Sequence, residues 1–261
     1  MKRANQKTPA RFKSFFGDLS LYESKISRDV CTDPTRAQSG ILVTAETTKI
    51  LVDMGIGVFR TLTSKDLKEI KAVLLTHNHL DHNGDLLALL KARWLLEAEE
   101  LQIYGPSDTK SVMEKLLEIY PYLEGNVKYR IRSHKEFKIN HFHVKAVKTN
   151  HGNVESRGYV IKDLNKTLTI SGDTVPVKEI VEVESDLLVH ELSFSFGKET
   201  YGHTAPENFA EMLPCCKAKR IGFVHLYEDA FKDAHKIIEY FKNIKKDIDY
   251  FIAEDGMEIK L

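Results

Sequence analysis

Residues 77–82 read His77-Asn78-His79-Leu80-Asp81-His82. Three imidazoles and one carboxylate fall in one short stretch, directly after the apolar run Ala72-Val73-Leu74-Leu75-Thr76. A strand that ends in such a loop aims several side chains at one point. Imidazole nitrogen suits zinc, iron and related ions, and a carboxylate adds a hard anionic oxygen. Alternate residues of an extended segment point the same way, so His77 and His79 can share one ion and leave Asp81 and His82 for a second. The bland alternative is a solvated polar loop with chance histidines. The tight spacing and the partners downstream argue against it.

Those partners stand at later strand ends. His151 follows an expected strand over 142–148, in Thr149-Asn150-His151-Gly152. Asp173 follows one over 166–171, in Ser171-Gly172-Asp173-Thr174, and His225 ends Ile221-Gly222-Phe223-Val224-His225. Any one of them alone would read as structural; beside the 77–82 cluster they read as ligands. The set then divides between two divalent ions. His77, His79 and His151 take one, Asp81, His82 and His225 take the other, and Asp173 bridges. Bound metal lowers the pKa of water from 15.7 towards ~7, and two ions about 3.5–4 Å apart can clamp the oxygens of an ester or phosphodiester during displacement. Zinc suits the histidines, while manganese or iron would tolerate the same donors.

The elements that must position these residues follow from periodicity and punctuation. Ile41–Ala45 and Lys49–Asp53 read as a hairpin ending in the glycines of Asp53-Met54-Gly55-Ile56-Gly57. Ser64 is the expected N-cap of a short helix through Lys71, followed by a strand over 72–76. Helical spacing runs through 84–98 and 107–119, with strand-like Leu101–Tyr104 between them. From 126 to 171 the pattern is β: 126–131, 136–139, 142–148, 157–162 and 166–171. A short helix near 176–183 leads to a strand at Asp186–His190. Thr204-Ala205-Pro206-Glu207 resembles a capping box opening a helix that runs to Cys216. After strand Ile221–His225 comes an amphipathic helix over 228–245, then strands 248–252 and 257–261 around the turn signal Glu254-Asp255-Gly256. The expected fold is α/β (α+β), two sheets sandwiched between helices in a single domain over 1–261, with residues 1–36 hard to place.

Composition sets bounds on partners. Lys and Arg balance Asp and Glu at a formal net charge of zero, unlike a dedicated nucleic-acid binder. No apolar stretch approaches the ~18 residues of a membrane span, and the basic N-terminus has no apolar run behind it, so no membrane partner or secretory signal is expected. Cys31, Cys215 and Cys216 form no disulfide framework. Free thiols fit a reducing cytoplasm, the expected location. Cys215 and Cys216 are expected in buried core. His141 and His143 share a strand face without a carboxylate nearby in sequence and read as solvated, as do His134, His235 and the run Lys242, Lys245 and Lys246. His190, beside Glu191, is a candidate for a supporting hydrogen bond.

Thr76-His77-Asn78-His79-Leu80-Asp81-His82, with His151, Asp173 and His225 in that order, resembles the metallo-β-lactamase superfamily across roughly residues 39–261. The resemblance implies a four-layer αββα sandwich with the dimetal site at one edge of the sheets. Within the superfamily it points to the ribonuclease Z-like phosphodiesterase branch. Ser171-Gly172-Asp173-Thr174 resembles that branch's aspartate motif, and Asp186-Leu187-Leu188-Val189-His190-Glu191 the segment with a supporting glutamate. Gly202-His203-Thr204-Ala205 with Val224-His225 resembles its paired late histidines. By that resemblance His203 helps protonate the leaving group, supported by Glu191, and homodimers are common. A histidine of near-neutral pKa can do this work, and Glu191 accepting its ring N–H would hold the tautomer. Only residues 162–170 separate Gly158-Tyr159-Val160-Ile161 from the aspartate motif. The long arm that transfer-RNA-processing members carry in this region is therefore lacking, and so is the branch's glycine-rich start.

The expected activity is thus a dinuclear metal-dependent hydrolase. Its substrate is expected to be a small cyclic or linear phosphodiester or an RNA end. A metal-bridging hydroxide, positioned by Asp81, attacks phosphorus while His203 assists departure. The alternative is a lactone, carboxylic-ester or thioester hydrolase with the same ions and no need of His203. A non-enzymatic binding module is disfavoured by the complete donor set. Residues 17–35, 54–64 and 193–202 are expected to shape the pocket.

Overall fold

The run 72–75 has no polar–apolar alternation because its strand is covered on both faces. Ala72 and Leu74 enter a core between two sheets, while Val73 and Leu75 enter a second core under helices. The computed structural model describes residues 11–14, 36–45 and 48–261. Cys31 and the expected pocket segment 17–35 lie outside the described residues.

The strands, in chain order, are β1 (Arg11–Ser14), β2 (Ile41–Ala45), β3 (Thr48–Val52), β4 (Ile70–Leu74), β5 (Leu101–Tyr104), β6 (Tyr129–Arg132) and β7 (Glu136–Ile139). They continue with β8 (Phe142–Lys148), β9 (Arg157–Asp163), β10 (Lys166–Ile170), β11 (Leu187–Glu191), β12 (Arg220–Val224), β13 (Asp249–Ile252) and β14 (Glu258–Lys260). The helices are α1 (Ser64–Glu69), α2 (Leu80–Asn83), α3 (Leu86–Leu95), α4 (Thr109–Ile119), α5 (Lys178–Val181), α6 (Pro206–Met212), α7 (Glu228–Lys232) and α8 (Ala234–Ile244).

One seven-stranded sheet runs β14-β1-β2-β3-β4-β5-β6 and the other β13-β12-β11-β10-β9-β8-β7. In each, one half is antiparallel and the other a parallel set whose crossovers carry helices. The inner faces meet in one core, with Val43, Ile50 and Leu74 against Phe142, Tyr159 and Ile170. Residues of α1, α3 and α4 cover the outer face of the first sheet, and residues of α5, α6 and α8 that of the second. The αββα sandwich is the architecture expected. Among the described residues no helix is long and apolar enough to cross a membrane.

Several local expectations shift. Thr63, not Ser64, caps α1: its hydroxyl accepts from Asp66 N and the Asp66 carboxylate accepts from Thr63 N. Thr204 does not cap α6, because its hydroxyl donates instead to Thr174 O at 2.7 Å, while Asn208 Oδ1 accepts from Ala205 N. The long helix over 228–245 is two helices, α7 and α8, that meet at Asp233, whose carboxylate accepts from Ser195 Oγ and Lys236 Nζ. Strands β13 and β14 flank the expected turn but belong to different sheets. Alternation reveals a strand's faces, not which sheet it joins. Between β9 and β10 lies only the turn Leu164-Asn165, so no arm protrudes there.

Candidate metal centre

The parallel strands β4, β10, β11 and β12 all release their chain at one edge of the sandwich. Each exit carries a polar side chain: His77 after β4, Asp173 after β10, Glu191 at the end of β11 and His225 after β12. His151 follows β8 at the same edge. Carboxyl-end crevices of such sheets are where fold geometry gathers ligands. Two backbone features make the approach close enough. Gly172, at φ +61°, lets the Asp173 segment press on Thr76, where a Cβ would stand 2.7 Å from Thr76 Cβ. Gly55 accommodates the Asp81 carbonyl, which would lie 2.0 Å from an added Cβ.

All seven expected donors converge. Donor atoms of His77, His79 and His151 lie within 4.8 Å of one another, and so do those of Asp81, His82, Asp173 and His225. Asp173 Oδ2 links the groups, 3.9 Å from His77 Nε2, 3.3 Å from His82 Nε2 and 3.4 Å from His225 Nε2. Asp81 Oδ2 stands 3.3 Å from His225 Nε2 and 3.6 Å from His82 Nε2. His79 Nδ1 lies 3.3 Å from His151 Nε2.

The other ring nitrogens are held from outside. His82 Nδ1 is 2.8 Å from Asp53 Oδ2, and His151 Nδ1 is 2.8 Å from Gly202 O. His77 Nδ1 lies 3.1 Å from Thr76 Oγ1, and His225 Nδ1 lies 3.0 Å from Ser193 Oγ. Such partners fix the tautomer and aim the second nitrogen inward.

Electrostatics match this arrangement. Burial, then the neighbouring His82 charge, pushes His77 far below the ordinary imidazole range. Burial and His151 likewise lower His79, so both rings stand neutral. At His82 and His225 burial also favours the neutral ring, but it is outweighed. Asp173 and Asp53 raise His82 well above its ordinary value, and Asp173 and Asp81 raise His225 to about 9. Burial would raise the Asp173 carboxyl, yet His225 and His82 hold it well below the carboxylate range. At Asp81 burial is again overcome, by the hydrogen bond from His225 and the His82 charge.

Glu191 and His203 sit beside this cluster. Glu191 is 1% exposed, and its Oε1 accepts from Thr174 N and Thr204 N at 3.1 and 3.0 Å while Oε2 accepts from Ser193 N at 2.9 Å. His203 Nδ1 lies 3.1 Å from Glu191 Oε1 and 3.1 Å from Ser193 Oγ. One ring nitrogen of His203 is within 4.8 Å of donor atoms of His151 and Asp173.

Three further residues, Asp53, Thr76 and Ser193, hold the donors in place. Asp53 closes the expected strand Lys49–Asp53 and opens the turn after it, a charged residue ending an apolar strand, the same signal that marks the other donors. Thr76 ends the expected strand over 72–76 and heads the histidine motif, and its hydroxyl lies against both Asp53 and His77. Ser193 lies two residues beyond Glu191, on the same side of an extended chain. Its hydroxyl donates to Glu191 Oε2 at 2.8 Å, so one carboxylate reaches both His203 and His225 through it. The residues set aside stay apart: among the described residues His134, His141, His143, His235, Cys215 and Cys216 join no potential metal-holding group. His190 is fully buried, with Nδ1 2.7 Å from Glu191 O and its ring edge-on to Phe209. It therefore supports the backbone of Glu191 and packs in the core.

The donor set fits two divalent ions. Nε2 of His77 and Nε2 of His82 are buried and find no hydrogen-bond geometry with any neighbour, although Asp173 Oδ2 stands 3.3 Å from the latter. Buried ring nitrogens are rarely left so. Five imidazoles and two carboxylates also supply the mixed N/O chemistry and negative charge that such ions need.

Residues 48–226 match the family model described as a beta-lactamase superfamily domain. A ribonuclease Z from Saccharolobus islandicus is 25% identical over 251 residues, covering 74% of this chain and 85% of that protein. The metallo-beta-lactamase fold protein YhfI from Bacillus subtilis superposes with a TM-score of 0.76 at 20% identity, covering 97% of this chain and 100% of that one. Human tRNase Z, short form, superposes with a TM-score of 0.71 at 21% identity, covering 96% and 98%.

Proposed function

Because the chain belongs to the beta-lactamase superfamily, on its ribonuclease Z-like branch, and is a metal-dependent hydrolase, we propose that it cleaves a phosphodiester at a dinuclear centre. His77, His79 and His151 would hold one ion, Asp81, His82 and His225 the other, and Asp173 both. Zinc is the first choice for so histidine-rich a set. The ions would supply Lewis acidity and lower the pKa of water towards ~7.

The chain's own residues position the nucleophile and protonate the leaving group. Asp81, the less enclosed of the two carboxylates, would accept a hydrogen bond from the attacking hydroxide and orient it. Oxygen adds to phosphorus as the bond to the leaving oxygen breaks. His203 gives that oxygen a proton. Glu191 and Ser193 hold Nδ1 of His203, which supports the charged ring and leaves Nε2 to donate. The observation that carries this reading is His203 seated on a buried carboxylate beside two donor groups that each gather three or more donors without it. A poor alkoxide leaving group on phosphorus needs such an acid, whereas the thiolate that leaves a thioester does not. The short β9–β10 turn and the zero net charge favour a small cyclic or linear phosphodiester, or an RNA end, over whole transfer RNA.

The test is hydrolysis of bis(p-nitrophenyl) phosphate by zinc- and manganese-loaded protein beside a lactone and a thioester. Turnover of the phosphodiester is expected; turnover of only the other two overturns the reading. His203→Ala is expected to lose on the order of 10²–10⁴-fold in turnover of an alkyl phosphodiester while keeping its metal. Loss of metal in that variant would reassign His203 to the donor set.

A further inference from the structure

Tyr201 is 71% exposed, yet it is not a loosely held surface ring. It lies over Gly152, where an added Cβ would stand 2.6 Å from Tyr201 Cε1. The next residue, Gly202, receives the hydrogen bond of His151 Nδ1 at 2.8 Å, and an added Cβ there would stand 2.9 Å from the His151 carbonyl carbon. Two glycine turns thus interlock and hold the Tyr201 ring in solvent at the His151 side of the centre. His203 comes next, 4.7 Å from His151 between ring centroids. Beyond His203 stand two half-buried rings, Phe194 and Tyr227, whose centroids are 5.8 and 6.1 Å from it and 5.3 Å from each other. Phe194 and Tyr227 therefore pack against the proton donor, and Tyr201 stands two residues before it over Gly152.

We propose that Tyr201, Phe194 and Tyr227 form the leaving-group subsite, and that the substrate carries a flat aromatic ring, a nucleobase or an aryl group, on the leaving side of the phosphodiester. The inference rests on the phosphodiesterase reading, because His203 faces the leaving oxygen and what that oxygen bears must lie against the neighbours of His203. Aromatic faces reward a flat π-system by stacking and accept any base, since every base has a π-face. A saturated group of equal size gains only buried area.

Calorimetric titration of the zinc-loaded protein tests this without turnover. The probes are benzylphosphonate and cyclohexylmethylphosphonate, with hydrolysis of bis(p-nitrophenyl) phosphate followed in parallel. Stacking predicts that benzylphosphonate binds about fivefold or more tightly than its saturated partner. Tyr201→Leu is expected to bring the ratio near one and Tyr201→Phe to keep it, which loss of fold would not do. Thymidine 5′-monophosphate against 2-deoxyribose 5-phosphate identifies the ring: a ratio as large as that of the benzyl pair assigns a nucleoside, and preference in the benzyl pair alone assigns a small aryl group. Equal affinities in both pairs for the wild type overturn the subsite. If phosphodiester turnover persists in that case, the functional reading stands without the subsite. If turnover is absent while the aromatic preference is present, the reaction was wrong and the ring-binding surface remains.

Discussion

Asp53 accepts from Thr76 N and Thr76 Oγ1 at 2.8 Å each and from His82 Nδ1 at 2.8 Å, all from a buried position with φ +60°. A left-handed conformation is costly for a side chain that cannot hydrogen-bond locally, and Asn tolerates it nearly as well as Asp. Asp53→Asn therefore keeps the backbone and removes the charge that orients His82. The expected outcome is a 10–100-fold loss of zinc affinity, read by competition with a chromophoric chelator, with little change in melting temperature of the metal-free protein. Unchanged zinc affinity would remove Asp53 from the centre's support.

At the scale of elements, the centre depends on how closely the exit of β10 approaches the exit of β4. Gly172 sets that distance. Gly172→Ala must either carry a Cβ at φ +61°, 2.7 Å from Thr76 Cβ and 3.0 Å from Arg157 O, or push the Asp173 segment away. Gly197 is the control: at φ +72° an added Cβ meets nothing within 4 Å. Urea unfolding should cost Gly197→Ala about 1 kcal/mol of backbone strain, and Gly172→Ala ~1–3 kcal/mol with weakened zinc binding. Equal effects of the two substitutions would mean that the β4–β10 contact does not govern the site. The pairing of Tyr159 Oη with Leu75 O at 2.7 Å ties the same two sheets together just behind the donors.

At the scale of the whole molecule, two sheets bring like-charged and titratable groups together that only an ion or protons can balance. In the metal-free protein His225 titrates at about 9 and His82 also lies above the ordinary 6.5. Between pH 7 and 9 the folded chain thus holds protons that the unfolded chain has released. Their stabilisation is complete below about 6.5 and is lost as pH rises through about 9. The melting temperature of chelator-treated protein is expected to fall from pH 7 to 9. Zinc takes the place of those protons and stabilises the folded state by mass action. The gap between zinc-loaded and stripped protein should therefore widen over the same range. A gap that narrows would contradict the assignment of His82 and His225 to the ion-holding set.

The sequence by itself determined the donor types and the strand ends that bear them. Clustered histidines at 77–82 and single polar residues after apolar runs are local signals, and strand exits are local events. The layered class was legible for the same reason, since runs such as 72–75 and 187–189 are apolar on both faces and need covering on both. What the tertiary structure decided is long-range. Residues 53 and 82 meet because β3 and β4 pair side by side in one sheet, 191 and 203 because the chain after β11 folds back over its exit, and 81 and 225 because the two sheets stack with their strand exits at one edge. The sorting of β13 and β14 into different sheets, the support of His82 by Asp53 and the Ser193 link between Glu191 and two histidines likewise depend on which strands pair and which sheets stack. No periodicity encodes them, because hydrophobic pattern specifies which face of an element is buried and says nothing of which distant element will cover it.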